Sequence, residues 1–88
     1  RDTAMNQDFL ISQIGLREEL EELEEDRDSI GLEDFMERID LHIEKNTESI
    51  YKAFELKSDL MDIRMNVREL KFYDQLYKEA NKLMDELL

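Results

Sequence analysis

The sequence contains no cysteine, no proline and no tryptophan, and only two glycines, Gly15 and Gly31. Without cysteine there is no disulfide framework and no thiolate metal site, a composition that fits a reducing compartment. Without proline, and with so little glycine, little interrupts a helix, so long continuous helices are expected. No apolar run approaches the ~20 residues that span a bilayer, and no signal peptide is expected. Positive charge is scarce as well: 12 Lys and Arg stand against 24 Asp and Glu, for a net charge of −12. Such an acidic chain repels nucleic acid and anionic membrane, so neither is an expected partner.

What is present points to helices. The 88 residues fit one small domain, whose core is marginal unless its helices pack efficiently or a partner assists. A hydrophobic fraction of 41% is too high for a disordered acidic tail. Glu, Leu, Asp, Lys, Met and Arg dominate, and most of these favour helix. The chain opens on Arg1 rather than methionine, and it is expected to be a piece of a longer protein.

Apolar residues recur at helical spacing in three blocks. The first spans about residues 6–28, with Phe9, Leu16, Leu20 and Leu23 on one stripe and Asn6 or Asp8 as the expected N-cap. The second spans about 31–55, started by Ser29 or Gly31, with its stripe on Leu32, Phe35, Met36, Ile39, Ile43, Ile50, Ala53 and Phe54. The third spans about 59–87, with Ser58 as the expected cap. Its stripe begins at Leu60, Ile63, Val67 and Leu70, and continues through Tyr73, Leu76, Tyr77, Ala80, Leu83, Met84 and Leu87. Short connections between long helices favour antiparallel neighbours. The predicted fold is all-α, an antiparallel three-helix bundle.

Three residues of the first block do not join its stripe. Leu10, Ile11 and Ile14 lie about 110° to 160° away from it at 100° per residue, on the side that continues into Glu18, Glu21, Glu22 and Glu25. An exposed apolar cluster rimmed by charge marks a protein-binding patch. Two other arrangements compete. The rest of the protein or an identical chain covers the cluster, or the cluster is a second buried face wedged between both neighbouring helices. Phe72 and Met65 are similarly off the stripe of the third block, and periodicity does not place either beside the Leu10–Ile14 patch.

Other chemistry is sparse. His42, the single histidine, lies at the edge of an apolar face with no nucleophile pattern around it, as a packed boundary histidine does. The run of acids from Glu18 to Asp26 lacks the loop and glycine of a calcium hand, so it is expected to be a solvated helical face. Tyrosines and methionines fall mostly on the stripes and are expected in the core. All-helical enzymes of this length exist, chorismate mutase among them. They need basic residues converging inside the bundle, whereas Arg17, Arg38, Arg64 and Arg68 fall between or opposite the stripes. No enzymatic activity and no cofactor or metal are expected.

Residues 9–22, FLISQIGLREELEE, resemble the FLMEQ-(L/M)-x-LREELEE segment that opens the C-terminal domain of the HscB family of J-type co-chaperones. Residues 67–76, VRELKFYDQL, are similar to that family's (K/R)-L-(K/R)-F-x-D-(K/Q)-L stretch in the last helix, and residues 32–35, LEDF, match the LExF start of its middle helix. The resemblance covers the chain from about Asn6. It implies a three-helix domain that binds an IscU-like scaffold of iron–sulfur cluster assembly. It also implies an N-terminal J domain, whose His-Pro-Asp motif stimulates an HscA-like Hsp70 chaperone and so hands the scaffold on. Here His42 is followed by Ile43 and proline is absent, so the stimulating half is not in this chain.

By position, the resemblance carries the scaffold site onto Leu10, Ile11, Ile14, Gly15, Arg17, Glu18 and Glu22, joined by Phe72. Leu10, Ile14 and Phe72 are the implied apolar anchors, and Arg17, Glu18 and Glu22 the polar rim. Gly15 and Ser12 depart from the acids usual there, which removes rim contacts. Leu10→Ala, Ile14→Ala and Phe72→Ala are each expected to weaken scaffold binding at nearly unchanged melting temperature. The resemblance is closer to bacterial forms, which implies a cytoplasmic protein, and a monomer is expected. The rival expectation is a structural module that self-associates through the same patch.

Overall fold

The computed structural model describes residues 3–88, with side chains from Gln7 onward. Three helices follow in order: α1 (Thr3–Asp26), α2 (Ser29–Glu55) and α3 (Leu60–Leu87). There is no strand among the described residues, and the antiparallel three-helix arrangement agrees with the apolar periodicity.

The helix ends show how two tight corners form without proline. Asp28 N donates to Leu23 O (3.0 Å) and Arg27 N to Glu24 O (3.1 Å). This pair of bonds is the Schellman closure, with Arg27 left-handed at φ 50°. Asp28 then caps α2, its carboxylate accepting from Gly31 N at 2.8 Å. The second corner repeats the pattern. Ser58 N donates to Ala53 O and Lys57 N to Phe54 O, with Lys57 at φ 53°, and Asp59 caps α3 by accepting from Met61 N. The second helix starts at Ser29, one of the two expected starts, with Asp28 as its cap; the cap of α3 is Asp59 and not Ser58, which is occupied with ending α2. Asn6 and Asp8 lie within α1 rather than at its start; the side chain of Asn6 falls outside the described residues.

The two glycines have opposite roles. A Cβ on Gly31 would collide with the Asp28 carboxylate and lie 2.8 Å from Leu23 Cδ2, whereas a Cβ on Gly15 meets nothing within 4 Å. Gly31→Ala is expected to dislodge the α2 cap and cost about 1–2 kcal/mol. Gly15→Ala is expected to add about 0.5–1 kcal/mol by restoring ordinary helix propensity. Paired urea melts check both signs.

The core lies at one end of the bundle. Leu20, Leu32, Phe35, Ile39, Tyr73, Leu76, Ala80 and Leu83 are buried together, with Phe9, Leu16 and Leu23 of α1 packed against them. On α2 this cluster stops at Ile43, and on α3 it starts at Phe72. Beyond those points burial thins, with Asn46 and Ala53 of α2 still buried, in a molecule of 45 × 24 × 15 Å extent. Asn46 donates to Glu69 Oε1 at 3.2 Å and pins α2 to α3 there.

Phe54 ends α2 and Leu60 starts α3, past the limits of the core cluster, so both, expected on buried stripes, are more than half exposed, as is Tyr51, and Met61 is exposed too. The boundary role expected for His42 is met: its ring stacks on Tyr73 at 4.5 Å and 6°, and burial pushes its pKa down.

Candidate protein-docking site

The site begins with the turn-by-turn geometry of α1. Its inward stripe is committed to the core, so the residues about 150° away must face outward. Leu10 is 55% exposed, Ile11 66% and Ile14 53%. None of the three is a second buried face of α1.

Across a shallow groove from this patch stands α3. Ile14, Arg17, Glu18 and Phe72 line one open concavity together with Gln13 and Glu21. A second one adjoins it, formed by Phe9, Leu10 and Gln13 on the α1 side and by Met65, Arg68 and Glu69 on α3. Phe72 and Met65 are thus brought to the α1 patch, which periodicity could not do. Glu21 joins from the acidic side on which the patch was expected to continue, while Gln13, Arg68 and Glu69 join unforeseen; Gln13 touches both concavities. Ile11, Gly15 and Glu22 lie on the exposed face of α1 outside both hollows.

Phe72 is only half-buried, and what it touches changes its role. Its ring meets Phe9 edge-on at 5.8 Å and Tyr73 at 5.3 Å, two residues of the core and its margin. Phe72→Ala must therefore loosen the seat of α1 as well as the surface. An unchanged melting temperature is therefore expected for Leu10→Ala and Ile14→Ala only, whose side chains are about half exposed.

Arg17 holds the groove open in a fixed shape. Its guanidinium lies over the Phe72 ring, 5.7 Å from the centroid, and its Nη1 donates to Glu79 Oε1 at 2.8 Å. Gln75 Nε2 donates to the other carboxylate oxygen of Glu79 at 3.3 Å. The polar tie on the opposite side of α1 is Arg38, which donates twice to the Glu19 carboxylate and once to Asp34. Each tie is partly exposed and contributes little stability; their effect is to fix rotamers.

The Arg17 guanidinium, with help from Gln75, holds the Glu79 carboxyl below its usual 4.5. A carboxylate with a depressed folded pKa leaves its tie intact above the ordinary value, and the tie is lost only as pH falls through the lowered one. The Glu79 side-chain carbon is expected to titrate below pH 4.5 by NMR, and its midpoint to rise in Arg17→Gln. An unchanged midpoint would mean that the pair does not persist in solution.

Among the described residues, no group of three or more His, Cys, Asp or Glu could hold a metal ion. No helix there is long and apolar enough to cross a membrane. The groove offers a concave shape, apolar side chains and a rim of Glu18 and Glu21.

The family model described as the HSCB C-terminal oligomerisation domain matches residues 5–81. The chain belongs to the HscB C-terminal domain family. This is a co-chaperone family of iron–sulfur cluster assembly, as the resemblance implied, and the match takes in both lips of the groove, from Phe9 on α1 to Phe72 on α3. No solved structure matches the chain.

Proposed function

We propose that this HscB-family domain docks an IscU-like scaffold protein in the α1–α3 groove, so that a J domain in the full-length co-chaperone can present the scaffold to an HscA-like Hsp70 chaperone in the cytoplasm. The observation that carries this is the pairing of exposed Leu10 and Ile14 with Phe72 and Met65 across one groove. Large aliphatics half in water around a fixed aromatic form the centre of a binding hot spot, with Glu18 and Glu21 as its rim. The facing surface of the partner must then present apolar groups beside Lys or Arg. No covalent chemistry is involved; the domain acts by holding its partner.

Calorimetric titration of the scaffold into this chain and into its Leu10→Ala and Ile14→Ala variants tests the proposal. Each variant should bind several-fold more weakly with its melting curve unmoved. Equal affinity in both variants would place the docking surface elsewhere.

The family description gives grounds for a second reading, because it names oligomerisation. Self-association of the domain is compatible with scaffold docking if the two use different surfaces. Sedimentation decides between a monomer and an associating chain.

A further inference from the structure

The groove continues past Leu10 onto the open face of α3. Three concavities run in a chain, and single residues join them: Gln13 lines the first and the second, Arg68 the second and a third. The third lies on α3 alone, among Ile63, Arg64, Val67, Arg68 and Lys71. Arg64, Arg68 and Lys71 follow one another at four and three residues, and Ile63 and Val67 at four, so the five share one side of the helix. The three cations are exposed and the two aliphatics are half-buried. Together they form a shallow apolar strip edged by positive charge.

That charge is uncommitted. Arg17 is engaged by Glu79, Lys78 by Asp74, and Arg38 by Glu19 and Asp34. Arg64, Arg68 and Lys71 make no ion pair or hydrogen bond with a described residue. Residues 63–73 hold these three bases and one acid, Glu69, for a local charge of +2 in a chain of net −12. The Glu69 carboxylate already accepts from Asn46. At the other end of the chain of hollows stand Glu18 and Glu21. The surface is therefore polarised, acidic beside Ile14 and basic beyond Met65.

This polarity selects the occupant. A nucleic acid or an anionic membrane would meet the strip only by approaching the rest of a strongly acidic molecule, which repels it. A short acidic segment of a protein already seated in the groove is brought to the strip by that seating, and its carboxylates find three donors without partners. We infer that Arg64, Arg68 and Lys71 read a carboxylate-bearing segment of the partner that docks in the groove, and so fix the direction in which that partner lies. The inference rests on the docking function proposed above and adds the chemistry of the partner's far end: Lys or Arg against Glu18 and Glu21, Asp or Glu against the strip.

Calorimetric titration of the IscU-like scaffold into the chain at 0.1 M and at 1 M salt tests it, because the screening length falls from ~10 Å to ~3 Å between them. The variants are the double reversal Arg64→Glu with Lys71→Glu, the charge-keeping exchange Arg64→Lys with Lys71→Arg, and the matched reversal Lys45→Glu on α2, outside all three hollows. Leu10→Ala and Ile14→Ala report on the groove itself, and circular dichroism verifies that each variant is folded. At the lower salt the double reversal should bind about tenfold more weakly or worse, the exchange should bind within about twofold of the wild type, and Lys45→Glu should change little. At the higher salt the deficit of the double reversal should shrink to less than about threefold. A double reversal that binds like the wild type or like Lys45→Glu would overturn the strip, and the groove would stand if Leu10→Ala and Ile14→Ala still weaken binding. A deficit that persists undiminished at 1 M salt would also overturn it, since lost packing rather than lost charge would then be the cause. Full affinity in both alanine variants would remove the groove and with it the shared surface on which the strip depends.

Discussion

Ile14→Asp is expected to weaken scaffold docking by more than 100-fold while moving the melting temperature by only a few degrees. Two effects add. Ile14 is 53% exposed in the free domain, so about half of the ~1.5–3 kcal/mol of a fully buried isoleucine remains to be gained on binding. Removing it alone is worth about 1 kcal/mol, a factor of five or so. The carboxylate contributes the larger share. It would be carried into a desolvated contact beside Glu18 and Glu21, at a cost of several kcal/mol for an unpaired buried charge. The free domain registers little of this. Ile and Asp have similar helix propensities, and the new like-charged pair with Glu18, four residues on, costs only ~0.3–0.5 kcal/mol. Calorimetric titration and a thermal melt on the same preparation separate the two quantities. If docking proceeds undiminished, the groove is not where the scaffold sits; if the fold is lost, Ile14 holds the core in a way its exposure does not indicate.

The reasons Ile14 could be singled out show what periodicity can and cannot convey. A helix commits one face to the core, and Phe9, Leu16, Leu20 and Leu23 claim that face of α1 unambiguously. Three aliphatics on the other side are then legible as misfits. What lies across from them is not legible, because the offset between α1 and α3 is set by packing rather than by either helix alone. Phe72 needed the structure to become the groove's floor and to be recognised as half core. The same limit explains Phe54 and Leu60. Their stripes are correctly helical, but a stripe does not say how far the opposing helix extends, and the core cluster ends before reaching them. The corners were hidden for a different reason. Helix ends are signalled by glycine at the left-handed position, and here Arg27 and Lys57 occupy it, so each stop blurs by a residue or two: Asp28 goes unmarked as the cap before Ser29, and Asp59 is passed over for Ser58.

Phe35→Ala is expected to be the most damaging single truncation, lowering the melting temperature by roughly 15 °C or more. Phe35 is wholly buried and is the largest such side chain. Truncations of this kind cost ~3–5 kcal/mol, against ~5–15 kcal/mol for an entire small domain. Each kcal/mol moves the midpoint of a domain this size by ~4–8 °C. The consequence reaches the groove although Phe35 lines neither concavity. The groove exists only while α1 is seated, because one lip belongs to α1 and the other to α3. The seat itself is the core cluster that Phe35 fills, joined by the partly exposed Arg17–Glu79 and Arg38–Glu19 pairs. Apparent affinity for the scaffold should therefore fall in proportion to the folded fraction. It should recover on cooling in Phe35→Ala but not in Ile14→Asp, whose defect lies in the contact itself. Binding measured at two temperatures, with the folded fraction read by circular dichroism, distinguishes them. A Phe35→Ala variant that melts within 5 °C of the wild type would show that the buried end of the bundle is not what holds α1 in place.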